Sequence, residues 1–443
     1  MCGCSTHKKY QRSEKIVVSD TYRDVKSISD TATLASLSWT ELFTDIYLQK
    51  LIETGLKHNT DLQVACLRVE QTEAVLKSSR LAYLPSVNLV PQGTVSSFNG
   101  TSPSKTYSLA ASASWEIDLF GKLANAERGD RAILESTKAY RQAVQTQLIA
   151  TIANSYYTLL RLDHQLEINL ATLKNWEENI NVLKALKRAG QTNDAAILRT
   201  EANRLALEST TLAIKKNINE TENSLSILLG HEPKKINRGM LAGQTFPEAM
   251  AVGVPLQILA SRPDIRQAEY NVAQAYYATN VARAAFYPNL TLSGSAGWTN
   301  NAGDAIVNPG NLLWSAAVSL LQPIFNKGKN QANLKIAKAQ AEETLFQFQQ
   351  SILNAGREVN DALVQWQTAG EQINLVDRQI ETLQEAVRKT ELLMKYSSVN
   401  YLEVLTAQQS LLLAKQTKAQ SQFDKIQGII NLYHALGGGT DTK

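Results

Sequence analysis

Two stretches of the chain alternate apolar and polar residues with a period of two. In 107–119 the odd positions are Tyr107, Leu109, Ala111, Ala113, Trp115, Ile117 and Leu119, and the even ones are Ser108, Ala110, Ser112, Ser114, Glu116 and Asp118. In 289–299 the even positions are Leu290, Leu292, Gly294, Ala296 and Trp298, set against Asn289, Thr291, Ser293, Ser295, Gly297 and Thr299. One apolar face at every second residue predicts a strand. Segments 87–98 and 312–322 share the pattern less cleanly, which gives two hairpins, 87–119 and 289–324. Each hairpin follows a helix-like run that stops at a proline, Pro85 or Pro288. Proline disfavours the helical region for the residue before it, which accounts for the abrupt change of period.

Behind each hairpin the period lengthens. Residues 122–188 contain no proline and one glycine, and 329–396 no proline and two glycines. At 1.5 Å per residue each would run roughly 100 Å. The second carries a heptad that can be counted through Leu345, Phe348, Ile352, Ala355, Val359, Ala362, Trp366, Ala369, Ile373, Val376, Ile380, Leu383, Val387, Thr390 and Met394. Residues 402–433 continue it with Leu402, Leu405, Leu412, Ala419, Phe423, Ile426, Ile430 and Tyr433, interrupted by Gln409 and Gln416. Leu148, Ile152, Leu159, Leu162, Leu166, Leu173, Trp176, Ile180 and Leu183 repeat it more loosely. A sustained 3.5-residue period predicts left-handed coiled-coil packing.

The two halves also resemble each other. Residues 56–89 lie over 259–292 without a gap, so that Asp61 pairs with Asp264 and Pro85 with Pro288. Phe120 of DLFGK pairs with Phe325 of PIFNKGK, and Gly230 with Gly437 at the ends of the halves. The reading is an internal two-fold repeat, each half running helix, strand, strand, helix, helix. It divides the chain into a strap at 1–38, a first repeat at 39–240 (long helix 122–188, helix 194–229), a connector at 241–258, a second repeat at 259–437 (long helix 329–396, helix 401–436) and a tail at 438–443.

Composition narrows the function. Basic and acidic residues nearly balance at 45 against 41, without a basic block, so nucleic-acid binding is not indicated. No run of 18 apolar residues exists, so no transmembrane helix is expected. No nucleophile–base pair, metal-ligand spacing or glycine-rich phosphate loop is present, so neither an enzyme nor a cofactor or metal site is expected. Of the three cysteines, Cys66 sits in a helical pattern and is expected to be a small buried hydrophobe. Cys2 and Cys4 crowd the N-terminus without a second pair or a histidine cluster, and read as lipid-attachment candidates after a removed signal peptide. Gly3 before Cys4 suits cleavage at a small residue, whereas only Met1 precedes Cys2, so both stand.

The strands then decide between a coiled-coil scaffold and a membrane protein. Their polar face is small and neutral, as in a wet lumen, and Tyr107, Trp115, Trp298 and Trp314 stand near strand ends, where an aromatic girdle would be. A membrane β-strand needs about 9–11 residues, which these segments supply. Four strands cannot close a barrel alone, so this reading demands an oligomer.

At RPDIRQAE (262–269), AFYPNLTL (285–292), WEIDLFGK (115–122), QPIF (322–325) and YLEVLTAQQSLLLA (401–414) the sequence resembles the TolC-like outer-membrane efflux proteins, and most the lipoprotein branch that serves multidrug pumps. The resemblance covers nearly the whole chain from about residue 40 to Gly437. It implies an α+β membrane protein. Three protomers would give four strands each to one 12-stranded β-barrel, continuous with a tunnel of coiled-coil helices across the periplasm. It also implies a lipid-anchored place in the outer membrane of a Gram-negative bacterium, among outer-membrane lipid, with a periplasmic adaptor and an inner-membrane pump as partners. The duct would be passive and would carry small molecules; a conduit for polypeptides fits the same residues. The resemblance places a gate where the helices turn back at 188–193 and 395–400. There Val399, Glu403, Thr406 and Ser410 share a helical stripe beside the Leu402/Leu405 seam. The family carries two aspartates where this chain has Glu403 and Thr406, and often one where it has Ala196, with Asp194 nearby. The expectation is a gate held less by charge, with Leu402 as an apolar plug.

Overall fold

A computed structural model describes residues 10–11, 37–100, 102–246, 262–299, 311–396 and 401–440. In chain order the elements are α1 (Trp39–Leu42), α2 (Ile46–His58), α3 (Thr60–Leu81), β1 (Ser86–Ser96), β2 (Ser104–Ile117), α4 (Lys122–Arg188) and α5 (Asp194–Leu228). A single 3-10 turn at Leu241–Gly243 follows, then α6 (Pro263–Ala284), β3 (Asn289–Thr299), β4 (Asn311–Leu321), α7 (Lys329–Lys395) and α8 (Tyr401–Ala435). The chain is mostly helical with one small sheet, and it divides into two compact units.

The first unit comprises Leu67–Ala139 and Ile265–Ser351 and contains the sheet. All neighbours are antiparallel, in the order β1-β2-β3-β4. Below the strands, Gly121 and Gly328 adopt positive φ (73° and 76°), each immediately before a long helix. A left-handed residue there costs glycine nothing and would strain any other side chain. Asp118 accepts a 2.8 Å bond from the Ala124 amide, satisfying a donor in the first turn of α4. Phe120 stacks on Tyr287 with ring centroids 4.8 Å apart. Asn280 donates to Asn125, which donates in turn to the Gly121 carbonyl at 2.6 Å; both asparagines are fully buried.

Among the described residues the second unit comprises 37–66, 140–246, 262–264, 352–396 and 401–440. Its main core joins Leu42, Phe43, Leu48 and Ile52 to Ile152, Tyr156, Leu159 and Leu160 of α4, with Ile426, Ile430 and Leu436 beyond them. The α7 heptad is realised at every step, since none of its fifteen positions from Leu345 to Met394 is exposed. Residues off the seam behave oppositely. Phe346, Leu353, Val364 and Leu375 are exposed, spaced by whole numbers of turns along α7, and Leu198, Leu205 and Leu212 form a second bare line on α5. Cys66 departs from expectation: it is only part-buried, on a helix whose apolar residues are not gathered on one face.

Polar contacts fix the register of these helices. The buried Asn169 of α4 accepts a 2.8 Å bond from Gln416 of α8 and donates to Thr211 of α5. Asn179 donates to Gln408, whose own amide donates to Glu391 of α7. Beyond α5, Arg238 binds Asp163 through two nitrogens and also reaches Glu222, which pins the segment leading to the 3-10 turn.

Arg262 forms the other clamp. Its side chain is buried, with Nε and Nη2 on the two oxygens of Asp264 (3.0 and 2.7 Å), Nη2 on Glu358 (2.8 Å) and Nη1 on the Ala435 carbonyl (2.8 Å). It thereby ties the start of α6 to α7 and to the C-terminus of α8. Removing it takes its donors away from two carboxylates and a helix-end carbonyl. Because those carboxylates are partly exposed, Arg262→Ala should cost about 2–3 kcal/mol, below the range for a fully buried pair. Thermal denaturation of the detergent-solubilised protein measures this. His434 lies nearby, and burial pushes its imidazole below the usual 6.5, with the Arg262 guanidinium adding to the effect and Glu358 and Asp264 opposing it. The native state therefore prefers the neutral ring. That stability is complete above pH 6.5 and is lost as pH falls through the depressed value. His434→Gln should flatten the pH dependence of the melting midpoint below pH 6.5, whereas an unchanged slope would assign it to other groups.

Candidate membrane sheet and gate

Residues directly opposite one another in an antiparallel ladder share a face, so the register sorts every strand residue. Ala113 pairs with Val87 and Gly294, Ala111 with Leu89 and Ala296, Leu109 with Trp298, Trp115 with Leu292 and Ile117 with Leu290. On β4, Val318, Trp314 and Leu312 stand opposite Leu292, Ala296 and Trp298. One face is therefore apolar from Ile117 to Tyr107, with Lys105 opposite Val95 at its far end, and its large apolar residues on β1 and β4 together with Tyr107, Leu109, Trp115 and Trp298 are 37–72% exposed. The other face carries Asn88, Gln92, Ser108, Ser112, Ser114, Thr291, Ser293, Ser295 and Ser315, with a hydroxyl pair at Ser295–Ser315 (2.9 Å). A contiguous bare apolar surface of this size marks a surface that water does not cover.

The four candidate girdle residues all fall on the apolar face but not at one level. Trp115 donates its indole N–H to the Tyr83 carbonyl at 2.8 Å, beside the entry to β1. Tyr107 lies eight residues back along β2, packed over Gly93, a separation of about 27 Å. Trp298 stands opposite Leu109, two rows from Tyr107, and Trp314 two rows further in. Tyr107 and Trp115 thus mark two ends, with Trp298 and Trp314 between.

The candidate gate residues lie in the second unit. Leu183 of α4, Ile197 of α5 and Tyr401, Val404 and Leu405 of α8 form a small apolar cluster, with Ala196 and Met394 against it. Asn193 caps α5 through a 3.1 Å bond to the Ala196 amide. Leu402 is not part of the seam assigned to it by the heptad. It is 40% exposed, and Tyr401, one residue earlier, occupies the buried place. α8 begins at Tyr401, so the seam there is set by packing in its first turn and not by continuity of the heptad. Burial raises the pKa of the Tyr401 phenol. Glu403 and Thr406 are exposed, Thr406 bonding back to the Leu402 carbonyl at 2.8 Å. Asp194 is held by Lys187 across the turn, so its charge is already matched. Val399, Cys2 and Cys4 lie outside the described residues. The Lys187–Asp194 pair was not foreseen, although opposite charges seven residues apart across a glycine turn are a readable signal.

Among the described residues no group of histidine, cysteine or acidic side chains could hold a metal ion, and no helix is long and apolar enough to cross a membrane. Comparison with known proteins agrees with the sheet. The cation efflux system protein CusC of Escherichia coli K12 is 30% identical over 450 residues, covering 99% of this chain and 97% of that protein. The probable outer membrane lipoprotein SilC of Salmonella typhimurium is 30% identical over 407 residues, covering 90% of this chain and 88% of its own. Among solved structures, the outer-membrane channel OprN superposes with a TM-score of 0.88 at 26% identity, over 98% of this chain and 99% of its own. The sequence matches the outer membrane efflux protein family over residues 51–231 and 254–438, and the chain belongs to that family.

Proposed function

We propose that this chain is the outer-membrane duct of a tripartite efflux system, a homotrimer whose twelve strands close into one barrel and whose helices form the tunnel below it. The observation that carries this reading is the two-faced sheet, apolar on one side and hydroxyl-rich on the other, with β1 and β4 as its edges. Hydrocarbon against the first face and water against the second is the arrangement of a membrane barrel. Assembly is further supported by the bare apolar lines on α5 and α7, which need partners.

The element lengths support an internal two-fold repeat. α3 and α6 are both 22 residues long, β1 and β3 both 11, α4 and α7 both 67, and α5 and α8 both 35. Three chains with two such halves each would surround the axis with six near-equivalent units. The repeats are 39–240 and 259–437, joined by the 241–258 connector, with a strap at 1–38 acylated on Cys4 or Cys2.

The duct performs no chemistry. An inner-membrane pump supplies the energy, a periplasmic adaptor joins pump to duct, and small molecules, cations among them, pass outward down the lumen. Relatives named for cation and solvent efflux support that cargo class. Specificity at the closed end would come from Glu403, which is exposed and has no ion-pair partner among the described residues, unlike Asp194. Repeated about the axis it makes a ring of carboxylates, and such rings favour cations. Thr406 and Leu402 on the same exposed side, with Val399 before them, would complete the constriction, while Ala196 and Asp194 belong to its rim.

In planar bilayers the wild-type protein should conduct with a preference for cations. Glu403→Ala should raise conductance and lower the cation-to-anion permeability ratio by about twofold or more, the order expected when a focused field is removed. Unchanged conductance and selectivity would put the constriction elsewhere.

A further inference from the structure

The ladder inside one chain dictates how two chains would meet. We infer that β4 of one copy pairs antiparallel with β1 of the next in one register, with Leu321 opposite Val90, and that residues 322–324 continue β4 along the neighbour's 87–89. This rests on the trimeric reading above and specifies its interface.

Ser86 pairs with Ser114 in the first hairpin, and Asn289 pairs with Leu321 in the second. Ser86 and Asn289 both open their strands, so Ser114 and Leu321 are equivalent. The same offset relates Gly121 to Gly328 and Lys122 to Lys329, the turn and first residue of the two long helices. By this offset (328 − 121 = 207) Phe120 falls on Lys327 and not on Phe325, and β4 ends three residues before the counterpart of Ile117. Across the joint between the two hairpins, Ser114 pairs with Ser293. The first-half counterpart of Ser293 is Val90. Leu321 of one copy therefore faces Val90 of the next, with Ser319 opposite Gln92 and Val318 opposite Gly93.

Two independent features fit this register. β2 runs past its last partner on β1 because Trp115, Glu116 and Ile117 pair with β3 alone. Their counterparts, 322–324, lie beyond the end of β4, and Ile324 is 96% exposed. The register sets Ile324 against Val87, itself 71% exposed, as Ile117 is set against Leu290. The second feature is on the polar face, where Val90, Leu313 and Leu321 are the large apolar residues among hydroxyls and amides. The register joins two of these three to each other. A slip of two residues keeps the faces but sets Leu321 beside Asn88 or Gln92.

Cysteine pairs on the water-facing side test it. In full-length protein carrying Cys66→Ser, the pair Ser319→Cys with Gln92→Cys is compared with Ser319→Cys plus Val90→Cys and with Ser319→Cys plus Thr94→Cys. Directly opposed Cβ atoms meet disulfide geometry, whereas positions two residues off lie about 7–8 Å away. On mild oxidation, the Ser319/Gln92 pair should form an inter-chain disulfide roughly tenfold faster than either control, given that difference in reach. A control that links as fast or faster, in a protein still trimeric by chemical cross-linking, overturns the register and leaves the assembly standing. A wild-type protein that is monomeric in detergent overturns the assembly and the register with it.

Discussion

A sheet of four strands satisfies its inner backbone groups and leaves two rows of amides and carbonyls unpaired, one on β1 and one on β4. In water such edges are a liability; in hydrocarbon each unsatisfied group costs several kcal/mol. The apolar face spanning Val87, Leu109, Trp298 and Val318 suits lipid, so the edges cannot be left to solvent. Only closure removes them, and closure needs strands that one chain does not possess. The bare lines on α5 and α7 are a second set of apolar surfaces without a partner in the chain among the described residues.

Within the helical unit a different problem is solved. Long apolar seams hold helices together but tolerate slippage, and a polar residue at a seam position selects one register at some cost in stability. Asn169 with Gln416 and Thr211, and Gln408 with Asn179 and Glu391, are such layers, spaced along α8. The Arg262 clamp then fastens the end of α8, where a helix terminus would otherwise leave a carbonyl without its donor.

The elements with a strong period were readable from the chain. Pro85 and Pro288 stand immediately ahead of β1 and β3, and the α7 heptad marks positions that are all sheltered. What the period could not supply was contact between distant segments. Nothing in RPD announces that Arg262 reaches Glu358 and Ala435, and Trp115 gives no sign of its bond to the Tyr83 carbonyl. At the start of α8, Leu402 and Tyr401 are both apolar enough for the seam, and tertiary packing in the first turn chose the tyrosine. The charge of Asp194 is legible in the sequence, whereas its pairing with Lys187 emerges only from the turn between α4 and α5.

In the proposed barrel the two faces of β2 meet different solvents. Spin labels placed singly along β2 from residue 106 to 115, in reconstituted protein, report accessibility to oxygen in lipid and to a nickel chelate in water. Oxygen accessibility should peak at 107, 109, 111, 113 and 115 and nickel accessibility at the positions between, a period of two in opposite phase. Equal nickel accessibility at every position would mean that no lipid covers the apolar face, and would contradict the barrel.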